Sequence, residues 1–304
     1  MEIYFIGFER YFNQKQLIKL KGLGKTYFLD TPEKIENAPF YKSKADKIIA
    51  ISPSFCDYNF GRDKIDKIAN IKAICLYTTT HHYIDVEYCK AKGIIVTNTK
   101  NYAADAIAEY MVFLMMCVLR KLPLQIKYGK QEFSDFFLQS QTSGKTVGII
   151  GLGNIGKRIA KICKNLGMKV IYWSYQDIDP AYEYVLLKDL FKTSDIIFSM
   201  LVINDLSKTF ITDEMLTSMK KDAVFVSGTS TYIHNHQLVL ELVRKNKILG
   251  YALEEPDKTI NDYMGNVMVT CEYAWFTKEA KQKRVELWLD CIESVIKGKP
   301  INKV

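Results

Sequence analysis

Four histidines stand in this chain as two close pairs, His81/His82 and His234/His236, and imidazole is the side chain that most readily moves protons near neutral pH. His81 and His82 follow Thr78, Thr79 and Thr80 in a polar loop, where His82 is a candidate proton donor and an exposed loop histidine is the plainer alternative. His234 and His236 precede a helical pattern over 237–244 and are expected to open that helix. Seven cysteines, at 56, 75, 89, 117, 163, 271 and 291, form no C-x-x-C and are scattered through apolar stretches. That pattern predicts reduced thiols, with no disulfide frame and no metal site.

The sharpest local pattern is Gly151-Leu152-Gly153-Asn154-Ile155-Gly156, entered from the apolar run 146–150 and followed by a helical stretch to about 166. A strand, G-x-G-x-x-G and a helix in that order predict a dinucleotide site. Gly151 permits the tight turn, Gly153 lets the backbone approach a pyrophosphate, and Gly156 lets helix and strand pack closely. Asn154 and Ile155 begin the helix, whose first N–H groups are free to donate. The next strand, 169–173, ends at Ser174, with Asp177 and Asp179 just beyond. Ser174 tolerates a 2′-phosphate, but no basic residue beside it attracts one, so NAD and NADP both remain open with a lean to NAD through Asp177.

These residues need a scaffold, and the composition supplies one. The chain has 304 residues, 48% hydrophobic and 25% charged, enough for two packed cores and too apolar for a disordered chain. Its formal charge of +8 is spread among acidic neighbours rather than gathered in a basic stripe with interleaved aromatics, so no nucleic-acid partner is expected. The first twelve residues already carry Glu2, Glu9 and Arg10, unlike a signal peptide. The clearest apolar run, 111–119, is short of the roughly 20 residues that span a bilayer. A cytoplasmic protein with a small-molecule substrate and no membrane partner is the expectation.

Strand-like runs at 3–8, 26–29, 47–51, 72–77 and 94–97 alternate with polar segments of helical length. A second series occupies 146–150, 169–173, 195–201, 223–226, 248–253 and 267–270, which predicts two domains of parallel β/α units. Between the series lies the apolar helical stretch 103–120, with Pro123 as its stop signal. The last helix, from an N-cap at Thr277 to about 297, places Val285, Trp288, Leu289, Ile292, Val295 and Ile296 on one face and must pack on something already built.

From about Ile71 to Ala280 the chain resembles the D-isomer-specific 2-hydroxyacid dehydrogenase family. Ile84-Asp85 and the run 92–98 are similar to its substrate loop, helix and strand, and Ala106-Ile107-Ala108-Glu109 to the start of its long helix. The runs 145–156 and 167–170 resemble its cofactor unit, and Met219-Lys220, 247–250, Glu255-Pro256 and 266–270 recur in its order. The resemblance implies two Rossmann-like α/β domains: a doubly wound parallel-sheet cofactor domain at 99–276, and a flavodoxin-like substrate domain at 1–98 plus 277–304. It further implies a site in the cleft between them, with Gly228 beside the cofactor and Thr79, Thr80 and His81 in the substrate loop. A homodimer built through 103–143 is implied as well.

The family's catalytic set is an Arg, a Glu and a His, and only the Glu is matched, by Glu255. Ser230 stands where the Arg belongs and Glu272 where the His belongs; Met200-Leu201-Val202 replaces a His-x-Pro. At an effective dielectric near 20, each unit charge about 4 Å away is worth on the order of 4 kcal/mol. A 2-oxo acid carboxylate is then repelled rather than held. The favoured reading is an active NAD(P)-dependent oxidoreductase with a neutral or cationic substrate such as an imine. There Glu255 and Glu272 together would raise one pKa and supply an acid. The alternative is an inactive relative that keeps the dinucleotide pocket as a sensor or dimer scaffold. Polar residues rather than apolar filler replace the lost catalysts, which favours the first.

Overall fold

The computed structural model describes residues 1–175, 179–201, 210–229 and 233–304. The chain forms two compact units, 1–103 with 277–304, and 104–276, so that residues 99–103 group with the first.

In the first unit, β1 (Glu2–Ile6), β2 (Lys25–Leu29), β3 (Lys47–Ile51), β4 (Ile71–Leu76) and β5 (Ile95–Asn98) make a parallel sheet in the order β2-β1-β3-β4-β5. This is the flavodoxin-like order. β3 is buried along its whole length, which is why it is a continuous Ile-Ile-Ala-Ile run without alternation. Its first residue, Lys47, is tolerated there because the ammonium donates to the carbonyls of Ser43, Ala45 and Ala69.

The C-terminal helix Lys278–Ile296 returns to this sheet. Thr277 caps it, its Oγ1 accepting from the Ala280 N–H at 3.1 Å. Val285, Trp288, Leu289, Ile292 and Val295, the stripe expected from their spacing, pack with Ile3, Phe5, Ile48 and Cys75. Trp288 is fully buried, and its indole N–H donates to the Cys75 carbonyl at 2.8 Å. A buried ring with its polar atom satisfied contributes a few kcal/mol here.

In the second unit, β6 (Thr146–Ile150), β7 (Lys169–Trp173), β8 (Glu183–Tyr184), β9 (Ile196–Ser199), β10 (Val224–Ser227), β11 (Gly250–Glu254) and β12 (Val267–Thr270) are all parallel, in the order β12-β11-β10-β9-β6-β7-β8. The chain winds outward from β6 to one edge, then returns past it through β9 to the other. The reversal between β6 and β9 is the switch point at whose carboxyl ends ligands bind in such sheets. Helix Ala104–Leu119 covers one face with Ala108, Met111, Met115 and Val118. Lys121, two residues beyond its end, is held at φ +50° and stands at the N-cap of the next helix. Pro123 lies in the first turn of the next helix, Leu122–Tyr128, so it starts that helix rather than stopping the first.

Candidate active site

The glycine loop after β6 is a tight turn. Gly151 has φ +95°, and a Cβ there would come within 2.9 Å of the Met200 carbonyl oxygen at the end of β9. At Gly156 a Cβ would lie 2.2 Å from the Gly151 carbonyl, so only glycine lets the helix Asn154–Asn165 start this close to β6. Gly153 is the opposite case: none of the described residues places an atom within 4 Å of its would-be Cβ. Gly153 is also the N-cap of that helix, no side chain caps it, and the first turn carries no acidic residue. Open space at the N-terminus of a helix fits a pyrophosphate.

Around this loop the carboxyl ends of the strands carry distinct chemistry. Beyond β7, Ser174 is half-buried, and the rings of Trp173, Tyr175 and Phe210 meet at centroid distances of 4.7, 5.0 and 5.1 Å. Asp179 pairs with Lys157, from the first turn of the glycine-loop helix, at 3.2 Å. At the end of β10, Gly228 abuts the Met200 side chain, and Ser227 Oγ donates to the Thr229 carbonyl at 2.8 Å. Ser230, Asp177 and Val202 lie outside the described residues.

The acidic residues sit at the exits of β11 and β12, which pair with Glu254 opposite Thr270. The Glu254 carboxyl accepts the Ala274 N–H at 2.8 Å. Burial raises its pKa, the N–H groups of Ala274 and Tyr273 oppose the rise, and the charge of Glu272 adds to it. Glu255 points elsewhere: its Oε2 accepts the Tyr263 hydroxyl. The charge of Glu272 thus acts on the carboxyl of Glu254, which faces the opposite way from its neighbour Glu255. Glu272 itself is exposed, as is Cys271.

Behind Glu255 lies a buried polar cluster. The Tyr251 hydroxyl bonds His234 Nε2 at 2.9 Å and lies 3.3 Å from His236 Nδ1, and the His236 ring packs edge-on to Tyr263 at 5.9 Å. His234 is 4% exposed, with no partner for Nδ1 among the described residues. Burial pushes its pKa down to about 4, with His236 adding to the effect. Burial also lowers His236, while Glu255 opposes the change. His236 opens the helix His236–Arg244 with Asn235 as its N-cap. The pair thus belongs to the interior of the cofactor unit. Tyr251, Tyr263 and Glu254 were not singled out by motif; the alternation of β11 was the available signal for Glu254.

In the first unit, the loop after β4 is held by its threonines. Thr79 Oγ1 donates to the Thr99 carbonyl at 3.0 Å, Asn98 Nδ2 donates to the Thr79 carbonyl at 2.7 Å, and the Thr78 and Tyr83 hydroxyls are 2.8 Å apart. Thr79, Thr80, His81 and His82 are exposed, with the His82 ring parallel to Tyr58 at 6.3 Å. No helix among the described residues is long and apolar enough to cross a membrane.

Comparison with known proteins agrees with this architecture. The family described as D-isomer specific 2-hydroxyacid dehydrogenase, NAD binding domain, matches residues 112–265. A glycerate dehydrogenase of Methylorubrum extorquens is 30% identical over 258 residues, 80% of this chain and 81% of that protein. A glyoxylate reductase of Thermofilum pendens is 27% identical over 253 residues, 77% of this chain and 74% of that protein. Among solved structures, an acyclic imino acid reductase in complex with NADPH and D-Arg superposes with a TM-score of 0.81 at 28% identity, covering all of both chains. The D-lactate dehydrogenase of Lactobacillus jensenii with NAD+ shares the fold, with a TM-score of 0.81 at 21% identity over 100% of this chain and 99% of that one. With its glycine loop, switch point and strand order in place, the chain belongs to the D-isomer specific 2-hydroxyacid dehydrogenase family, as an oxidoreductase with a nicotinamide dinucleotide cofactor.

Proposed function

We propose that this oxidoreductase reduces the C=N bond of a neutral or cationic imine rather than the C=O bond of a 2-oxo acid. The observation that supports the reading is the acidic exit of β11 and β12, where Glu254, Glu255 and Glu272 stand; the resemblance sets Glu272 where the family carries its His. Clustered carboxyls repel a substrate carboxylate and favour a protonated nitrogen. The bound nicotinamide supplies hydride to the substrate carbon. Glu254, whose pKa is raised by burial, keeps a proton to higher pH than an ordinary carboxyl and gives it to the nitrogen as the C=N electron pair moves there. With an iminium no proton is needed, and Glu255 and Glu272 act through their charge alone. The full-length similarity to a protein described as an acyclic imino acid reductase supports C=N as the bond reduced.

The cofactor reading is NADH before NADPH. No Lys or Arg occurs from 174 to 179, and the nearby Lys157 is already paired with Asp179. The experiment is NADH and NADPH oxidation by the purified protein with 2-oxo acids alone, with aldehydes or ketones in the presence of ammonia or alkylamines, and with preformed imines that carry no carboxylate. Turnover confined to mixtures that contain an imine is expected. Reduction of a 2-oxo acid without amine would overturn the reading, and cofactor binding without any turnover would favour a sensor.

A further inference from the structure

Tyr263 is gripped at both ends. Its hydroxyl donates to Glu255 Oε2, while its carbonyl oxygen accepts Lys127 Nζ at 2.7 Å. The same ammonium donates to the Gly265 carbonyl at 2.9 Å, so it bridges two carbonyls one residue apart. Lys127 comes from the helix Leu122–Tyr128, well away in sequence from β11. Its amine is drawn into a half-buried position with no carboxylate partner among the described residues, a costly placement unless the carbonyls need it.

The rest of the 259–266 segment is fastened to the same neighbourhood. A capping box between Thr259 and Asp262 closes the short turn Ile260–Asp262. Asn266, 4% exposed, sends its Nδ2 to the Val118 carbonyl at 2.9 Å, near the end of helix Ala104–Leu119. Gly265 has φ +78°, and a Cβ there would come within 2.9 Å of Val243, so the chain has little room to choose another path. The backbone around Tyr263 is thus held in place by Lys127, by the Asn266 contact with Val118 and by the capping box.

From this juxtaposition we infer that Lys127 is a positioning residue for Glu255, acting through Tyr263. Lys127 fixes the backbone at 263 and 265, that backbone sets the ring, and the ring hydroxyl holds one carboxyl oxygen. The inference rests on the reading of Glu255 as a group that acts on substrate, but the hydrogen-bond chain itself is measurable without turnover.

The experiment follows the side-chain carboxyl carbon of Glu255 by NMR in the dinucleotide-bound protein, assigned by its loss in Glu255→Gln. Tyr263→Phe is expected to displace the resonance, and Lys127→Met is expected to displace it in the same direction without touching Glu255. With an imine substrate, each variant should lower kcat roughly tenfold while KM for the dinucleotide stays unchanged. The double variant should lose no more than the worse single one. Lys127→Gln, a milder change, serves if Lys127→Met does not fold. A resonance moved by Tyr263→Phe but not by either Lys127 variant would overturn the inference, as would additive losses in kcat. If both variants move the resonance and the parent protein reduces no imine, the positioning chain stands and the proposed function falls.

Discussion

Glu254 accepts the Ala274 N–H at 2.8 Å, and Glu272, two residues earlier on that strand exit, adds its charge to the same carboxyl. A proton held there is available to an imine nitrogen only below the raised pKa. The rate of neutral-imine reduction should therefore fall as pH rises through that value. Glu254→Gln should lower kcat by roughly a hundredfold or more. In Glu272→Gln one of the causes of the upward shift is gone, so the falling limb should move to lower pH. A kcat profile whose limb stays in place in Glu272→Gln would break the link between the two carboxyls.

The glycine loop separates folding from binding. A side chain at Gly153 meets open space, and one at Gly156 meets the Gly151 carbonyl at 2.2 Å. Gly153→Val should melt close to the parent temperature yet bind NADH at least tenfold more weakly, a loss of about 1.4 kcal/mol. Gly156→Val should cost several kcal/mol of stability, because the clash is with backbone that cannot rotate away. Equal NADH affinity in Gly153→Val and the parent, measured by fluorescence titration, would remove the pyrophosphate from this turn.

Asp179 does two things to a cofactor. It contributes negative charge beyond β7, and it occupies Lys157 at 3.2 Å. Asp179→Asn should relieve both and improve NADPH binding relative to NADH. The quantity to compare is the ratio of the two dissociation constants at low ionic strength, where the exposed pair is least screened. A ratio unchanged from the parent would place the 2′-hydroxyl out of reach of this residue.

How far the sequence revealed these relationships depended on their range. The G-x-G-x-x-G turn and the stripe ending in Trp288, Ile292 and Val295 are local, so their spacing alone pointed to a turn and a buried helix face. β8, with two exposed residues, Glu183 and Tyr184, has no apolar run to announce it. The pairing of Glu254 with the 272–274 turn depends on the register that sets Glu254 opposite Thr270. Motif matching stopped at the next residue, Glu255, because Pro256 follows it. The contacts of Tyr251 with His234 and His236 cross from a strand to the start of a helix 15 to 17 residues earlier, a path that only the folded chain defines.

Residues 113–138 display an unusual amount of apolar surface. Phe133 is 95% exposed, Leu138 69%, Ile126 and Tyr128 55% each. Apolar surface of this kind is expected to be covered by a second copy of the chain. Light scattering should give twice the chain mass for the parent protein and a shift toward the single-chain mass for the Phe133→Asp, Leu138→Asp double variant. A single-chain mass for the parent at micromolar concentration would end the expectation.

His234 makes the molecule sensitive to acid. In the folded protein its pKa is about 4, against 6.5 for the free side chain, because burial penalises the cation. Between those values the unfolded chain binds the proton and the folded one does not, so stability rises with pH across that window. The contribution is complete above about pH 6.5 and is lost as pH falls to and through about 4. The full span corresponds to about 3 kcal/mol. His236, also lowered by burial, adds a loss of the same sign. His234→Gln keeps a hydrogen bond to Tyr251 within reach but has no proton to gain. Its stability deficit in urea should be largest near about pH 7.5 and should shrink as the pH approaches about 4.5. A deficit that stays constant over that range would mean that His234 takes up its proton as readily in the folded protein as in the unfolded chain.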